Sequence, residues 1–220
     1  MSEILGLWLE WLPRLLGGLW LGCKVAGLSL ILGIPLGLVL ALTVQAKSTV
    51  LRAATLVVVE IGRGTPALVL LQLAYFGLPS AGLTLSAMAA SVLALAVCAA
   101  AYTSEIIRGG LEAVAAGQKE AADALGMSRL DKLRFIVLPQ GLAVALPPLL
   151  GFSITILQGT SLCFAITLPE LISQAYAIGA STFRYLPALV LASLLYAAIC
   201  IPASMLVGVL ERRLGAHHRA

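Results

Sequence analysis

The sequence predicts an all-α integral membrane protein with five transmembrane helices. Of its 220 residues, 60% are hydrophobic and only 11% are charged, whereas water-soluble domains average about 25% charged residues. Its mean hydropathy is +1.04. A bilayer-spanning helix needs about 20 apolar residues, so the chain holds roughly five or six spans with their connections. This composition excludes soluble enzyme folds and leaves no room for a sizeable extramembrane domain.

Five apolar runs mark the predicted spans. The first is interrupted by charge only at Lys24, whose ammonium group is expected either to reach the outer headgroups or to take part in a pathway. Gly18 with Gly22, and Gly33 with Gly37, repeat the spacing that lets helix backbones approach closely in lipid. Within one transmembrane domain, taken as residues 1–220, the predicted spans are residues 15–46, 52–79, 83–104, 135–157 and 186–210.

The second span is expected to be irregular. Glycine and charged residues interrupt it, and Pro66 follows them. Because proline removes a backbone donor and clashes with the preceding turn, the helix should break or bend between Gly62 and Pro66. Glu60 and Arg63 are three residues apart, so they can pair on one face. Such a pair is either a structural ion pair at the break or a gate that faces a pathway.

The other spans differ in regularity. Residues 83–104 are uncharged and rich in alanine, which predicts the most regular helix. Pro139, Pro147 and Pro148 make the fourth span poorly helical by propensity. The fifth span is free of charge from Leu186 to Leu210. Five crossings put the two ends of the chain on opposite sides of the membrane.

Lysine and arginine predict the orientation, because short positively charged loops stay cytoplasmic. One set of connecting segments holds only Arg14 and Arg184. The other set holds ten such residues, which are Lys47, Arg52, Arg108, Lys119, Arg129, Lys132, Arg134, Arg212, Arg213 and Arg219. The N-terminus is therefore expected outside and the C-terminus inside, with residues 105–134 in the cytoplasm. Residues 2–11 mix tryptophan with glutamate and are expected to form a short amphipathic helix along the outer interface.

No metal or cofactor is expected on this chain. The cysteines lie in apolar stretches without the close pairing that a zinc site or a redox pair requires. They are Cys23, Cys98, Cys163 and Cys200. His217 and His218 are adjacent near the chain end and are interpreted as a solvated tail.

The cytoplasmic segment is built as short helices joined by glycines. The run Glu120–Leu125 forms helix readily, and Gly126 follows where a helix end needs a left-handed residue. Ser128 and Asp131 form a candidate capping box, so a tight helix-turn-helix is predicted. Alanines beside carboxylates suit insertion into a groove on a soluble partner. A solvated connection that only caps two spans would have the same composition.

Glu120-Ala121-Ala122 is followed by Gly126 and then by Ile136, Leu138 and Pro139. This order resembles the EAA motif of bacterial ABC importer permeases. Five further runs resemble the polar amino-acid branch of that family, which has histidine, glutamine, arginine and cystine types. These runs are Arg63-Gly64-Thr65-Pro66, Ala101 to Gly109, Val114 with Gly117-Gln118, Leu138-Pro139-Gln140 and Thr160-Ser161-Leu162. The resemblance covers nearly the whole chain, about residues 15–214.

The resemblance implies a type I ABC importer permease fold in a multi-pass protein of the bacterial inner membrane. Such a permease pairs with an identical or homologous chain, docks its EAA helices into an ATP-binding subunit present in two copies, and receives a polar amino acid from an extracytoplasmic solute-binding protein. The chain has no GxxxxGKS or GxxxxGKT phosphate loop. ATP and Mg are therefore expected on the partner ATPase, and this chain is expected to be a transport subunit, not an enzyme, with no nucleic-acid partner. The residues implied in ATPase coupling are Gly117, Gln118, Glu120, Ala121, Ala122 and Gly126.

Polar residues inside the spans need an explanation, because a charge at the helix centre costs about 2.5 to 3.5 kcal/mol. Broken helices can bind both charges of an amino-acid zwitterion, whereas hydrogen bonds in helix packing explain many other polar residues. The candidate residues of a translocation pathway or gate are Glu60, Arg63, Thr65, Pro66, Gln72, Thr103, Gln158, Thr160 and Ser161. Gln158-Gly159 stands where the family commonly has lysine and aspartate, so any role of that charge pair must be filled differently here.

Intramembrane charges are also typical of an ion-coupled secondary transporter of small polar solutes, which is the alternative function. Such transporters are usually built from two repeats, and the two halves of this sequence show no similarity. That alternative predicts uptake driven by an ion gradient, without ATP. A membrane-embedded enzyme is not expected, because the spans contain no HExxH motif, no histidine and no paired aspartates.

Overall fold

The structure is a computed structural model that describes residues 2–46 and 48–217. Lys47, His218 and Arg219, which entered the predictions above, lie outside these residues. In the described part of the chain all regular structure is helical, as the sequence predicts. The α-helices in chain order are α1 (Ser2–Val44), α2 (Thr49–Gly64), α3 (Ala67–Gln72), α4 (Ala87–Glu112), α5 (Ala116–Ala124), α6 (Arg129–Asp131), α7 (Leu138–Gly159), α8 (Leu171–Thr182) and α9 (Tyr185–His217).

Within the described ranges, four helical segments are long and apolar enough to cross a membrane, and a bent pair makes a fifth if it counts as one span. This confirms the predicted all-α membrane fold. The four segments are Ile4–Val44, Ala87–Glu112, Arg129–Ile166 and Tyr185–Arg212. The third is composite, because a π-helical turn (Lys132–Val137) precedes α7 and a 3-10 helix (Thr160–Ile166) follows it.

The bent pair is the predicted irregular span. Thr49–Gly64 and Ala67–Ala81 meet at 98°, and the break falls at Thr65 and Pro66, as predicted. Thr65 has an extended backbone, with φ −85° and ψ 125°. The proline ring disfavours the helical region for the residue before it, and the extended conformation of Thr65 turns the chain here.

Several boundaries differ from the predictions. Residues 2–11 do not form a separate interfacial helix, because α1 is continuous from Ser2 and Trp11 is buried. The expectation of a poorly helical fourth span is also wrong, since α7 runs unbroken through Pro147 and Pro148. Its other proline, Pro139, lies in the first turn of α7, directly after the π-helical turn Lys132–Val137. The short helix α8 was not predicted.

α1 and α4 pack closely along a stripe of small residues. A Cβ atom on Gly33 would lie 2.6 Å from Ala99 Cβ. One on Gly37 would overlap Thr103 Oγ1 and lie 2.9 Å from the Ala100 carbonyl oxygen. The predicted role of the glycine spacing in helix packing is confirmed at this crossing.

α8 is held between α1 and α9 by apolar packing and by one buried carboxylate. Leu171, in the first turn of α8, is fully buried in a cluster that includes Trp11 and Leu15 of α1. Glu170 is also fully buried, and its carboxylate accepts hydrogen bonds from the Ile172 and Ser173 backbone N–H groups at 2.9 and 2.8 Å. These bonds satisfy donors that the start of α8 would otherwise leave unpaired.

The glycine contact predicts that Gly37→Ala will lower the stability of the chain by about 1–3 kcal/mol, because the added methyl group forces α1 away from α4. Gly27→Ala is the matched control, since a Cβ at Gly27 meets nothing within 4 Å. That substitution should be neutral or slightly stabilising, as alanine favours helix over glycine. Thermal unfolding of both variants in detergent measures the difference, and equal melting temperatures would contradict the packing described.

Burial raises the pKa of Glu170 from its ordinary 4.5 to about 7. The folded chain therefore holds this proton in a pH range where the unfolded chain has lost it, so stability falls as the pH rises from about 4.5 to 7. The difference amounts to about 3 kcal/mol at most. In Glu170→Gln this dependence should vanish. Melting temperatures of both chains between pH 5 and 8 test this, and parallel curves would contradict it.

Candidate functional site

A cavity of about 580 Å³ lies beside the bend between α2 and α3. Three elements form its wall, because the bend faces the middle of α4 and the second half of α7. Arg63, Thr65 and Pro66 contribute from the bend. Tyr102 lies on α4 and Phe152 on α7. The irregular backbone predicted from the sequence thus opens onto a cavity, which is where such backbone is tolerated in membrane proteins.

Two aromatic rings form one side of the cavity and hold the bend in place. The rings of Tyr102 and Phe152 stack with centroids 5.3 Å apart and an interplanar angle of 19°. The Tyr102 hydroxyl donates a hydrogen bond to the Arg63 carbonyl oxygen at 3.2 Å, and the Arg63 guanidinium lies 5.9 Å from the Tyr102 ring centroid. The end of α2 is therefore anchored to α4 by a hydrogen bond and a cation–π contact.

A chain of ion pairs leads from the cavity to the end of α4. Arg63 Nη1 lies 3.2 Å from Glu60 Oε1 and 3.6 Å from Glu105 Oε2. Arg108 binds the Glu105 carboxylate through two N–H donors, at 3.0 and 2.7 Å, and reaches Glu112 at 2.7 Å. We call these five residues the ion-pair chain. Opposite charges alternate along it, so each inner residue has partners on both sides.

The links of the ion-pair chain differ in strength. The side chain of Glu60 is 67% exposed, and an exposed pair of this kind contributes little to stability. The side chain of Glu105 is only 22% exposed and receives two parallel hydrogen bonds from Arg108, which is the strong geometry for arginine and carboxylate. The strongest pairs of the ion-pair chain thus lie on α4, and Arg63 connects α2 to them.

The predicted helix-turn-helix is present as α5, α6 and the turn between them. α5 ends in a left-handed turn at Gly126, with φ +70°. The Gly126 N–H donates to the Asp123 carbonyl and the Met127 N–H to the Ala122 carbonyl, at 3.0 and 3.1 Å. This pair of bonds is the Schellman motif, so the interpretation of Gly126 is confirmed. Ser128 caps the next helix by accepting from the Asp131 N–H at 3.1 Å, as predicted.

Two contacts fix α5 to the rest of the chain. Lys132 forms an ion pair with Asp123 across the turn. The Lys119 ammonium donates to the carbonyl oxygen of Leu111, the residue before the last of α4, at 3.4 Å. Val114, in the connection between the two helices, is buried in a cluster with Leu111 and Ile107 of α4. α5 is thus tied directly to the end of the helix that lines the cavity.

The residues implied in ATPase coupling divide into two groups. Ala122 is buried within the chain, so it packs α5 onto its own subunit. The other members are exposed, and they are Gly117, Gln118, Glu120, Ala121 and Gly126. Leu125, at the C-terminal end of α5, is 81% exposed, and Leu130 in α6 is 71% exposed. The exposed surface of this segment thus offers a partner both apolar and anionic side chains.

The candidate pathway residues are only partly brought together. Arg63, Thr65 and Pro66 line the cavity, and Glu60 lies behind Arg63 as its ion-pair partner. Gln72 lies elsewhere, exposed on α3. The cavity is therefore lined by polar residues of the break, and other polar residues of the spans lie outside it.

The other candidates lie in helix packing or at the far end of α7. Thr103 is fully buried against α1, and its hydroxyl donates to the Ala99 carbonyl at 2.6 Å. Thr160 is also fully buried and donates to the Leu157 carbonyl at 2.7 Å. Ser161 donates to the carbonyl of the exposed Gln158 at 2.8 Å. Each of these three hydroxyl groups donates to a backbone carbonyl three or four residues earlier. These bonds agree with the interpretation that such polar residues serve helix packing.

Some residues of the site were missed. Arg108 belongs to the ion-pair chain, and its spacing of three and four residues from Glu105 and Glu112 could have shown it. Outside the site, Glu170 in the cap of α8 was also missed, and it could have been found as the lone carboxylate of a long apolar stretch. No local signal pairs Phe152 with Tyr102, because they lie on different helices.

A model of the family described as binding-protein-dependent transport system inner membrane component matches residues 33–216. The probable glutamine ABC transporter permease protein GlnP of Bacillus subtilis is 38% identical over 93% of this chain and 95% of its own length. The probable amino-acid ABC transporter permease protein YckA of the same organism is 35% identical over 93% and 91%.

Solved structures agree with these relatives. An amino acid ABC transporter crystallised with histidines matches with a TM-score of 0.88 at 33% identity, over 93% of this chain and 96% of that chain. The inward-facing MetNI methionine ABC transporter matches with a TM-score of 0.66 at 20% identity, over 90% and 97%. At that identity the second likeness concerns the fold alone.

The placement of two threonines predicts different chemical access. In a chain whose four cysteines are replaced by alanine, Thr65→Cys should react with a water-soluble maleimide, because Thr65 is partly exposed at the cavity. Thr103→Cys should react at least ten times more slowly, since Thr103 is fully buried between α1 and α4. Labelling rates followed by mass spectrometry decide this. Similar rates at both positions would contradict the difference in exposure described here.

Proposed function

The chain belongs to the family of binding-protein-dependent transport system inner membrane components, and from that membership we propose that it moves a polar amino acid delivered by an extracytoplasmic solute-binding protein. It is an ABC transporter permease, a multi-pass transport subunit of the bacterial inner membrane. Membership does not favour the ion-coupled secondary transporter. The observation that supports this function best is the direct attachment of α5 to the end of α4, which lines the cavity.

ATP hydrolysis belongs to a separate subunit in this proposal. Two copies of a cytoplasmic ATPase would bind ATP and Mg, and each would receive one exposed α5 helix. The exposed carboxylate of Glu120 and the apolar side chain of Leu125 support such a contact, because partner grooves commonly combine an apolar floor with a basic rim. This chain would contribute no catalytic group.

A second permease chain, identical or homologous, completes the pathway. This chain supplies one wall around the bend at Thr65 and Pro66, and the partner chain supplies the other. Relatives named for glutamine, arginine and cystine support an amino acid as the substrate. Delivery by a binding protein agrees with the family description.

The contacts between α5, α4 and the bend provide a route by which ATP binding to the partner subunits would change access to the cavity. When the ATPase subunits close on ATP, they would draw the two α5 helices together. α4 would move with α5, because Lys119 and Val114 hold α5 against the C-terminal end of α4. The contacts of Arg63 with Glu105 and Tyr102 would make the bend move together with α4. The side of the membrane from which the cavity is accessible would then change.

The turn at Gly126 gives the sharpest test of coupling. Gly126→Val should lower ATP-dependent uptake and substrate-stimulated ATPase activity at least tenfold, because a left-handed backbone costs a residue with a side chain about 1–2 kcal/mol and a branched one more. The space around the position is open, so the effect comes from the backbone alone. Both activities are measured in proteoliposomes that contain the complete transporter.

Gly126→Asn is the matched control, since asparagine tolerates the left-handed region. It should keep most of the uptake, while both variants reach the membrane at the level of the unmodified chain. Full uptake by Gly126→Val would contradict the coupling role. Uptake that stops with an ion uncoupler and continues without ATP would contradict the proposed function itself.

A further inference from the structure

A groove of about 620 Å³ lies between α1, α7 and α9. We infer that it binds an acyl chain of one phospholipid, whose phosphate pairs with Lys24 on α1. Apart from Cys23 and Ser153, the lining side chains are aliphatic. The Ser153 hydroxyl donates to the Leu149 carbonyl oxygen at 2.8 Å, so its proton is already used within the helix. A polar ligand would lose its water in such a groove without gaining partners, whereas a hydrocarbon chain loses nothing.

The groove runs along the membrane-spanning helices. Each of its three helices belongs to a segment long and apolar enough to cross a membrane. The lining residues extend over 23–30 on α1, 150–157 on α7 and 203–210 on α9. On each helix these residues cover about two turns, which rise roughly 10 Å along the axis. An acyl chain that lies alongside the helices therefore has the direction of the groove.

The groove and the cavity beside the bend lie on opposite faces of α7. Phe152 and Ile156 line the cavity, whereas Leu150 and Ile154 line the groove. Successive residues of a helix are about 100° apart, so the two pairs point in opposite directions. This step rests on the proposed function, in which a partner permease chain supplies the other wall of the cavity. A partner on that side of α7 leaves the groove open to lipid.

Lys24 supplies the charge that calls for a phosphate. It is exposed, it follows the groove residue Cys23, and its ammonium lies 5.4 Å from the centroid of the Trp20 ring. Trp20 is itself 63% exposed. Among the side chains that the structure describes, no carboxylate forms an ion pair with Lys24. A lysine on a lipid-facing helix extends toward the headgroups, whose phosphates are the anions within its reach.

These two features fit one lipid of the outer leaflet. Lys24 and Cys23 lie at the end of the groove that the charge pattern predicts to be nearer the outside. A tryptophan such as Trp20 is typical of the headgroup level. From there the acyl chain would run between the helices toward Leu210, at the other end of the groove. Arg212, which is exposed two residues beyond Leu210, would instead pair with a lipid of the inner leaflet.

The test counts the phosphatidylglycerol molecules that the complete transporter retains after detergent purification, by native mass spectrometry. We expect one molecule for each permease chain. Lys24→Gln should weaken its binding about fivefold, which is the contribution of one lysine near an anionic headgroup. Lys24→Arg should retain the lipid, and Arg212→Gln is the matched control that should leave binding unchanged. Diacylglycerol, which has the acyl chains without the phosphate, should bind the unmodified chain as weakly as phosphatidylglycerol binds Lys24→Gln.

Ala203→Phe tests the groove itself, because the added ring would occupy the space of the acyl chain while Lys24 remains. This variant should lose the lipid. A photo-crosslinking amino acid at Leu206, which lines the groove and is 70% exposed, identifies the occupant without filling the groove. We expect phospholipid adducts from native membranes.

Adducts with a second permease chain at Leu206 would overturn the inference, as would lipid binding that neither Lys24→Gln nor Ala203→Phe weakens. Weaker binding by Arg212→Gln alone would also overturn it, because the headgroup would then lie at the other end of the groove. ATP-dependent uptake is measured separately. The lipid site can thus fail while the proposed function holds.

Discussion

The close contact of α1 with α4 is the constraint on which the site depends. In lipid, helices gain little from burying apolar surface, so they associate where small residues let backbones pack. Gly33 and Gly37 of α1 meet Ala99 and Ala100 of α4 in this way. The contact fixes α4 in the centre of the fold, with one face packed against α1. Its other faces are then free to meet the bend and α7.

Because α4 is held in this way, it can both line the cavity and carry the ion pairs at its end. Its middle part supplies Tyr102 to the cavity, and its last turns carry Glu105, Arg108 and Glu112. The partly buried pair of Arg63 and Glu105 joins the backbone break to this helix. Together with the hydrogen bond from the Tyr102 hydroxyl to the Arg63 carbonyl oxygen, it holds the end of α2 against α4.

The sequence predicted well what depends on local chemistry. Three features were predicted from the backbone preference or the size of one residue type, namely the break at Pro66, the left-handed turn at Gly126 and the glycine packing face of α1. Proline did not predict a break everywhere, since α7 runs unbroken through Pro147 and Pro148. Prediction failed where tertiary packing decides. Thr103 was a candidate pathway residue, yet the helix α1 covers it, and α8 is stable because α1 and α9 enclose it and Glu170 caps it.

In the proposed mechanism, the free energy of ATP hydrolysis reaches this chain from another polypeptide through the exposed face of α5. A photo-crosslinking amino acid at Ala121 tests it most directly, with the same group at Phe183, which is 89% exposed between α8 and α9, as the control. Mass spectrometry after illumination of native membranes identifies the adducts. We expect an adduct with an ATPase that has a GxxxxGKS or GxxxxGKT loop at Ala121 alone. Lipid adducts only at Ala121, or the same adducts from both positions, would contradict it.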